Sequence, residues 1–146
     1  MNYSEAEENI KKIISKSNQV LEDVVSFLHD NFENYSWVGI YIVDGDDLIL
    51  GPWKGPHATE HTRIPIGKGI CGAAAETGNT EIIDDVKSDD RYLSCFISTK
   101  SEIVVPIYKD EKVIGEIDID SDKTSAFTDE DKIFLEKVAD MISSYI

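Results

Sequence analysis

A chain of 146 residues with 41% hydrophobic and 29% charged side chains has the size and balance of one folded domain with a real core, and is too short for a catalytic domain joined to a sensor. Its 29 acidic residues against 14 basic ones give a formal net charge of −15, a field that repels phosphate backbones and anionic headgroups and argues against nucleic acid as a partner. No apolar run reaches the length of a membrane span, and residues 1–9 are acidic and polar where a signal peptide is basic and then apolar, so a cytoplasmic protein is expected.

Residues 4–30 carry Ile10, Ile13, Ile14, Leu21, Val24, Val25 and Leu28 at spacings of three, four and seven, which predicts an amphipathic helix with a break near Ser15 to Ser17. The period then changes to two. Trp37, Gly39, Tyr41 and Val43 alternate with Val38, Ile40 and Ile42, and Asp44-Gly45-Asp46 supplies hairpin chemistry before a second strand at 48–53. A short strand at 62–66 leads through Gly67-Lys68-Gly69 into an Ala-rich helix over 70–77, closed by Gly78 as C-cap. Residues 81–83 suit another short strand. Residues 84–100 show no clean period and read as a long loop with a helical turn, holding Tyr92, Leu93, Cys95 and Phe96. A second hairpin over 102–108 and 113–121 and a final helix opened by a Thr128-to-Asp131 capping box complete the chain. This order predicts a single α+β domain over residues 1–146: a central antiparallel sheet with the N- and C-terminal helices on one face and an active-site loop on the other.

Such a sheet has a pocket face. Val38, Ile40 and Ile42 belong to the core, which leaves Trp37 and Tyr41 opposite it with Gly39 between them, either clearing room for a ligand or marking a bulge. In the second hairpin Val113, Ile117 and Ile119 face the core, so Glu116, Asp118 and Asp120 share the other face. Keeping Ile103, Val105 and Ile107 with that aliphatic set places Glu102 opposite Asp118 or Asp120. The convergence of Glu102, Asp118 and Asp120 should raise at least one pKa and leave a neutral carboxyl able to donate a proton. An acid trio also suits a hard cation. No further oxygen-ligand pattern accompanies it, so acid catalysis ranks first and no metal is expected.

The two cysteines sit differently. Cys71, in Gly-Ile-Cys-Gly at a helix start, fits both a dipole-favoured thiolate and a buried packing residue. Cys95, in Tyr-Leu-Ser-Cys-Phe within the irregular loop, suits an exposed nucleophile.

Trp37-Val38-Gly39-Ile40-Tyr41, Leu50-Gly51-Pro52-Trp53-Lys54-Gly55, the run from Arg63-Ile64-Pro65 to Ile70-Cys71-Gly72, Ser101-Glu102-Ile103-Val104-Val105-Pro106 and Ile117-Asp118-Ile119-Asp120-Ser121 resemble, in order and spacing, the free methionine-(R)-sulfoxide reductases, which are single GAF domains. The resemblance covers nearly the whole chain. Its most specific parts are the Cys71-to-Cys95 spacing, Ser101-Glu102 and the Asp118-x-Asp120-Ser121 ending. It implies Cys95 as nucleophile, Glu102, Asp118 and Asp120 as active-site acids that also bind substrate, and Trp37 and Tyr41 as aromatic pocket positions. It implies no bound cofactor and an external thiol reductant such as thioredoxin, and the amphipathic terminal helices suit a homodimer. Many members carry a third cysteine ahead of the Arg-Ile-Pro segment, where this chain has His57-Ala58-Thr59-Glu60-His61, so Cys71 is the intramolecular candidate for resolving thiol and an external thiol is the other route. Two other readings stay open: a non-catalytic GAF sensor of a small metabolite, and a thiol redox switch.

Overall fold

Asn2 starts the first helix, α1 (Tyr3–Lys16), by accepting the Glu5 backbone N–H on its side-chain oxygen at 2.8 Å, which satisfies one of the donors a helix start leaves unpaired. These coordinates are a computed structural model that describes residues 1–92 and 98–146; Cys95 lies outside the described residues. The expected break follows α1. Ser17 is extended, donates its hydroxyl to Asp23 at 2.6 Å and accepts the Gln19 N–H at 2.9 Å, and the chain re-enters helix as α2 (Val20–Asn31).

The strands β1 (Trp37–Asp44), β2 (Asp47–Lys54), β3 (Arg63–Pro65), β4 (Glu81–Ile83), β5 (Ser101–Lys109) and β6 (Lys112–Ser121) form one antiparallel sheet in the order β3-β2-β1-β6-β5-β4. β1 and β6 are central, and they are buried from Trp37 to Tyr41 and from Gly115 to Ser121. One face buries Val38, Ile40, Ile103, Val105, Ile117 and Ile119 against α1, α2 and the last helix, α4 (Asp129–Ile142), through Ile10, Val24, Leu28, Phe134 and Val138. Each such aliphatic side chain contributes about 1.5–3 kcal/mol when fully buried, which makes this face the main source of stability. The opposite face carries a smaller cluster that includes Tyr41, Leu48, Ile64, Cys71 and Val104, covered by the short helix α3 (Gly69–Thr77) and by Val86 from the segment before β5. The fold is therefore α+β, with the terminal helices together on one face.

Thr128 caps α4 as the Thr-x-x-Asp pattern requires, exchanging bonds with Asp131. Asp131 also accepts the Tyr35 hydroxyl at 2.6 Å and the Tyr3 hydroxyl at 3.1 Å, tying the start of α4 to α1 and to the approach of β1.

β5 and β6 are joined by two residues, Asp110 and Glu111, both left-handed at φ 52° and 65°. That is the tight-turn geometry favoured by Asn-Gly, and a glutamate adopts it at a cost. Glu111→Gly is expected to raise stability by about 0.5–1 kcal/mol, read as a higher urea midpoint with unchanged slope.

Candidate active site

The register of the sheet decides which acids meet. Ile103 pairs with Ile119 and Val105 with Ile117, and this forces Glu102 opposite Asp120 and Val104 opposite Asp118. On the other side of β6, Trp37 pairs with Asp120, Gly39 with Asp118 and Tyr41 with Glu116. Glu102, Asp118, Asp120 and Glu116 thus line one face of the central strands, and none is more than 4% exposed. Glu116 enlarges the predicted trio to four. The period-two pattern of β6 already put it on this face, but nothing in the sequence said that the face is dry so far along the strand. There Pro106 and Tyr41 flank Glu116 and seal it completely.

Trp37 and Tyr41 bracket the row, one at each end. The Trp37 indole lies across Gly39, where an added Cβ would come within 2.4 Å of the ring. The glycine therefore makes room for tryptophan and not for a ligand, and the pairing of β1 with β2 slips between Gly39 and Tyr41, as a bulge does. Trp37 also stacks on Trp53, with ring centroids 6.0 Å apart, and lines a cavity of about 20 Å³ shared with His57, Thr99 and Asp120. Tyr41 donates its hydroxyl to the His61 carbonyl at 2.7 Å, so the segment without the third cysteine is pinned against the pocket.

Cys71 reaches the acids from α3. The turn ahead of that helix is drawn in tightly: Gly67 donates to the Gly72 carbonyl at 2.8 Å, and a Cβ on Gly72 would sit 2.7 Å from the Pro65 carbonyl oxygen. This close approach pushes Cys71 down onto β5 and β6. Its sulfur and one oxygen each of Glu102 and Asp118 lie within 4.8 Å of one another, around a second cavity of about 20 Å³ that Tyr41, Ile64 and Ile70 also line.

Burial pushes all four carboxyls above the ordinary carboxylate range, and the neighbouring acids add to it: Asp118 and Asp120 raise Glu102, and Asp118 raises both Glu116 and Asp120. Burial also drives the Cys71 thiol up, with Asp118 the largest charge acting on it, so the thiolate that a helix start favours is suppressed here. Among the described residues, no lysine, arginine or histidine pairs with any of the four acids. Both oxygens of Glu116 and the Oδ1 atoms of Asp118 and Asp120 are buried without a hydrogen-bond partner.

These raised values set the pH dependence of stability. A group held above its unfolded value gives its full contribution below that value, 4.5 for Glu116, and loses it as pH rises through the folded value. Glu116→Gln should therefore leave stability at pH 4 nearly unchanged and increase it at pH 8 by at least about 1 kcal/mol, the scale of an unsatisfied buried polar group, as read from urea unfolding.

A GAF-domain profile matches residues 17–146. The free methionine-R-sulfoxide reductase of Escherichia coli is 37% identical over 112 residues, which span 77% of this chain and 67% of that protein. The crystal structure of the Neisseria meningitidis free methionine-R-sulfoxide reductase in complex with its substrate superposes with a TM-score of 0.91 at 33% identity, covering 97% of this chain and 86% of that one. The type II enzyme of Thermoplasma acidophilum gives a TM-score of 0.84 at 37% identity over 90% of this chain and 93% of that one. A buried acid row closed by a thiol on one side and aromatic rings at its ends thus sits in a chain that belongs to the GAF-domain family, within the group of the free methionine-R-sulfoxide reductases.

Proposed function

We propose that this protein reduces free methionine-(R)-sulfoxide to methionine, with Cys95 as nucleophile. The observation that carries this reading is the row of Glu102, Asp118 and Asp120, buried and without a cationic partner among the described residues. Such a row calls for a small cation that also accepts a proton elsewhere. A free amino acid sulfoxide offers both, an ammonium for the carboxylates and a sulfoxide oxygen for a neutral carboxyl. The E. coli, N. meningitidis and T. acidophilum relatives named for this activity support the same reading.

The substrate approaches the acid row with its methyl-sulfoxide end against Trp37 and Tyr41, its ammonium held by ionised acids and its oxygen protonated by one that burial keeps neutral. Protonation makes the sulfur electrophilic. The Cys95 thiolate attacks that sulfur and hydroxide leaves as the S–O bond breaks; hydroxide then adds to the Cys95 sulfur and breaks the S–S bond, so methionine departs reduced and Cys95 is left as a sulfenic acid. The Cys71 thiol then condenses with the sulfenic acid, forming a disulfide and releasing water, and a thioredoxin-type dithiol reduces that disulfide by exchange. Held neutral by its surroundings, Cys71 does not compete for the first step.

The test is the product. Purified protein supplied with dithiothreitol should release methionine from the free (R)-sulfoxide, and the N-acetylated sulfoxide, which has lost its ammonium, should be turned over at least about a hundredfold less efficiently. No methionine from the free sulfoxide would overturn the activity, and equal efficiency on both substrates would remove the acids from amine recognition.

A further inference from the structure

The acid row was read from the sequence as a carboxylate site alone, but the structure adds a sulfur to it. Cys71, Glu102 and Asp118 each offer one donor atom, and the three lie within 4.8 Å of one another, all buried. Three ligands on one tetrahedral zinc stand about 3.5 Å apart, given zinc–sulfur bonds of about 2.3 Å and zinc–oxygen bonds of about 2.0–2.2 Å, so rotations of two carboxyl-bearing side chains close the gap. The cavity between them, about 20 Å³, has room for one water-sized body, the scale of a bare ion. Asp118 lines this cavity and its Oδ1 has no hydrogen-bond partner, although the residue is 2% exposed.

The donor set selects the ion. One thiolate with two carboxylates excludes the hard cations Mg²⁺ and Ca²⁺, which take oxygen alone, and suits a borderline ion that accepts sulfur and oxygen together. We propose that Cys71, Glu102 and Asp118 form a binding site for a borderline divalent cation of the Zn²⁺ class. Glu116, sealed beside Asp118 on the same strand, is a fourth carboxyl behind the site. Binding competes with protons, since the thiol and the carboxyls must ionise to ligate, so it strengthens as pH rises and releases protons. A bound cation also takes the place argued above for the substrate ammonium. That consequence for turnover rests on the proposed activity, whereas the binding itself does not.

The experiment uses the full chain, reduced with a phosphine so that no added thiol competes. Co²⁺ titrated into the wild type should develop the sulfur-to-cobalt charge-transfer absorption at one equivalent with release of protons, and Zn²⁺ should displace the cobalt and remove the band. Cys71→Ser should abolish the band, Asp118→Asn should weaken binding at least about tenfold, and Cys95→Ser should change neither. Because the band in the wild type reports thiolate ligation directly, a misfolded variant does not decide the outcome. Absence of the band in the wild type overturns the site, since the acid-rich surface binds metal through oxygen only. A band that survives Cys71→Ser and disappears in Cys95→Ser overturns it equally, by placing the ion on the other thiol. Loss of methionine production with the band intact would sink the activity and leave the metal site standing.

Discussion

Cys95→Ser is expected to abolish methionine formation from the free sulfoxide, a loss of at least about 10³-fold, while leaving the unfolding midpoint unchanged. A serine hydroxyl is a far weaker nucleophile at neutral pH, and it has no accessible oxidation state in which to keep the departing oxygen. Product chromatography on wild type and variant, both with dithiothreitol, checks this. Turnover retained by the variant would move the nucleophile elsewhere. It would also favour Cys71, the other cysteine, despite the surroundings that hold its thiol protonated. A sensor or a thiol switch predicts no methionine from either protein, so one assay separates the three readings.

The second large effect concerns the proton. Glu102→Gln and Asp118→Asn should each lower kcat by about 10²–10⁴-fold if the replaced group is the donor to the sulfoxide oxygen, the usual range for a positioned general acid. The sign of the pH profile follows from the raised values of these acids: the donating form exists below the folded-state pKa, so turnover falls as pH climbs through it. The falling limb should vanish in whichever variant has lost the donor. The acid that holds only the ammonium should raise KM and leave both kcat and the limb alone. If neither amide variant alters kcat, protonation by these two residues is wrong. Asp120, paired directly with Glu102 and raised by the same burial, is then the remaining member of the predicted trio.

The sheet was readable because a strand has a period of two and its aliphatic residues leave little choice of register. Burying Ile103, Val105, Ile117 and Ile119 on one face fixes the parity of the pairing and leaves Glu102 opposite Asp118 or Asp120, of which the folded register selects Asp120. The capping box at Thr128 and the Gly78 C-cap were equally local, each set by residues within one turn of the helix end. What local pattern could not supply was depth. The sequence gives Glu116 and Asp118 the same face, but only the approach of α3, through the tight contact at Gly72, closes that face and turns solvated acids into desolvated ones. Between ligand space and a bulge at Gly39 the pattern could not choose for a related reason, since the ring that fills the space belongs to a neighbour two residues away and curls back along its own strand. From its place in the helix alone Cys71 fits both a dipole-favoured thiolate and a buried packing residue. Tertiary placement against four carboxyls opposes the thiolate, and no reading of α3 by itself contains those partners.

Trp37 and Trp53 are the only tryptophans in the chain, and they stack on each other beside Asp120. Indole emission from this protein, excited at wavelengths beyond tyrosine absorption, therefore originates at one end of the acid row, with no background from indoles elsewhere. Any molecule that lodges against Trp37 alters the polarity and stacking felt by that pair, so the chain carries its own optical reporter of occupancy. Substrate affinity can then be followed by label-free fluorescence titration of the Cys95→Ser protein, in which binding is uncoupled from chemistry.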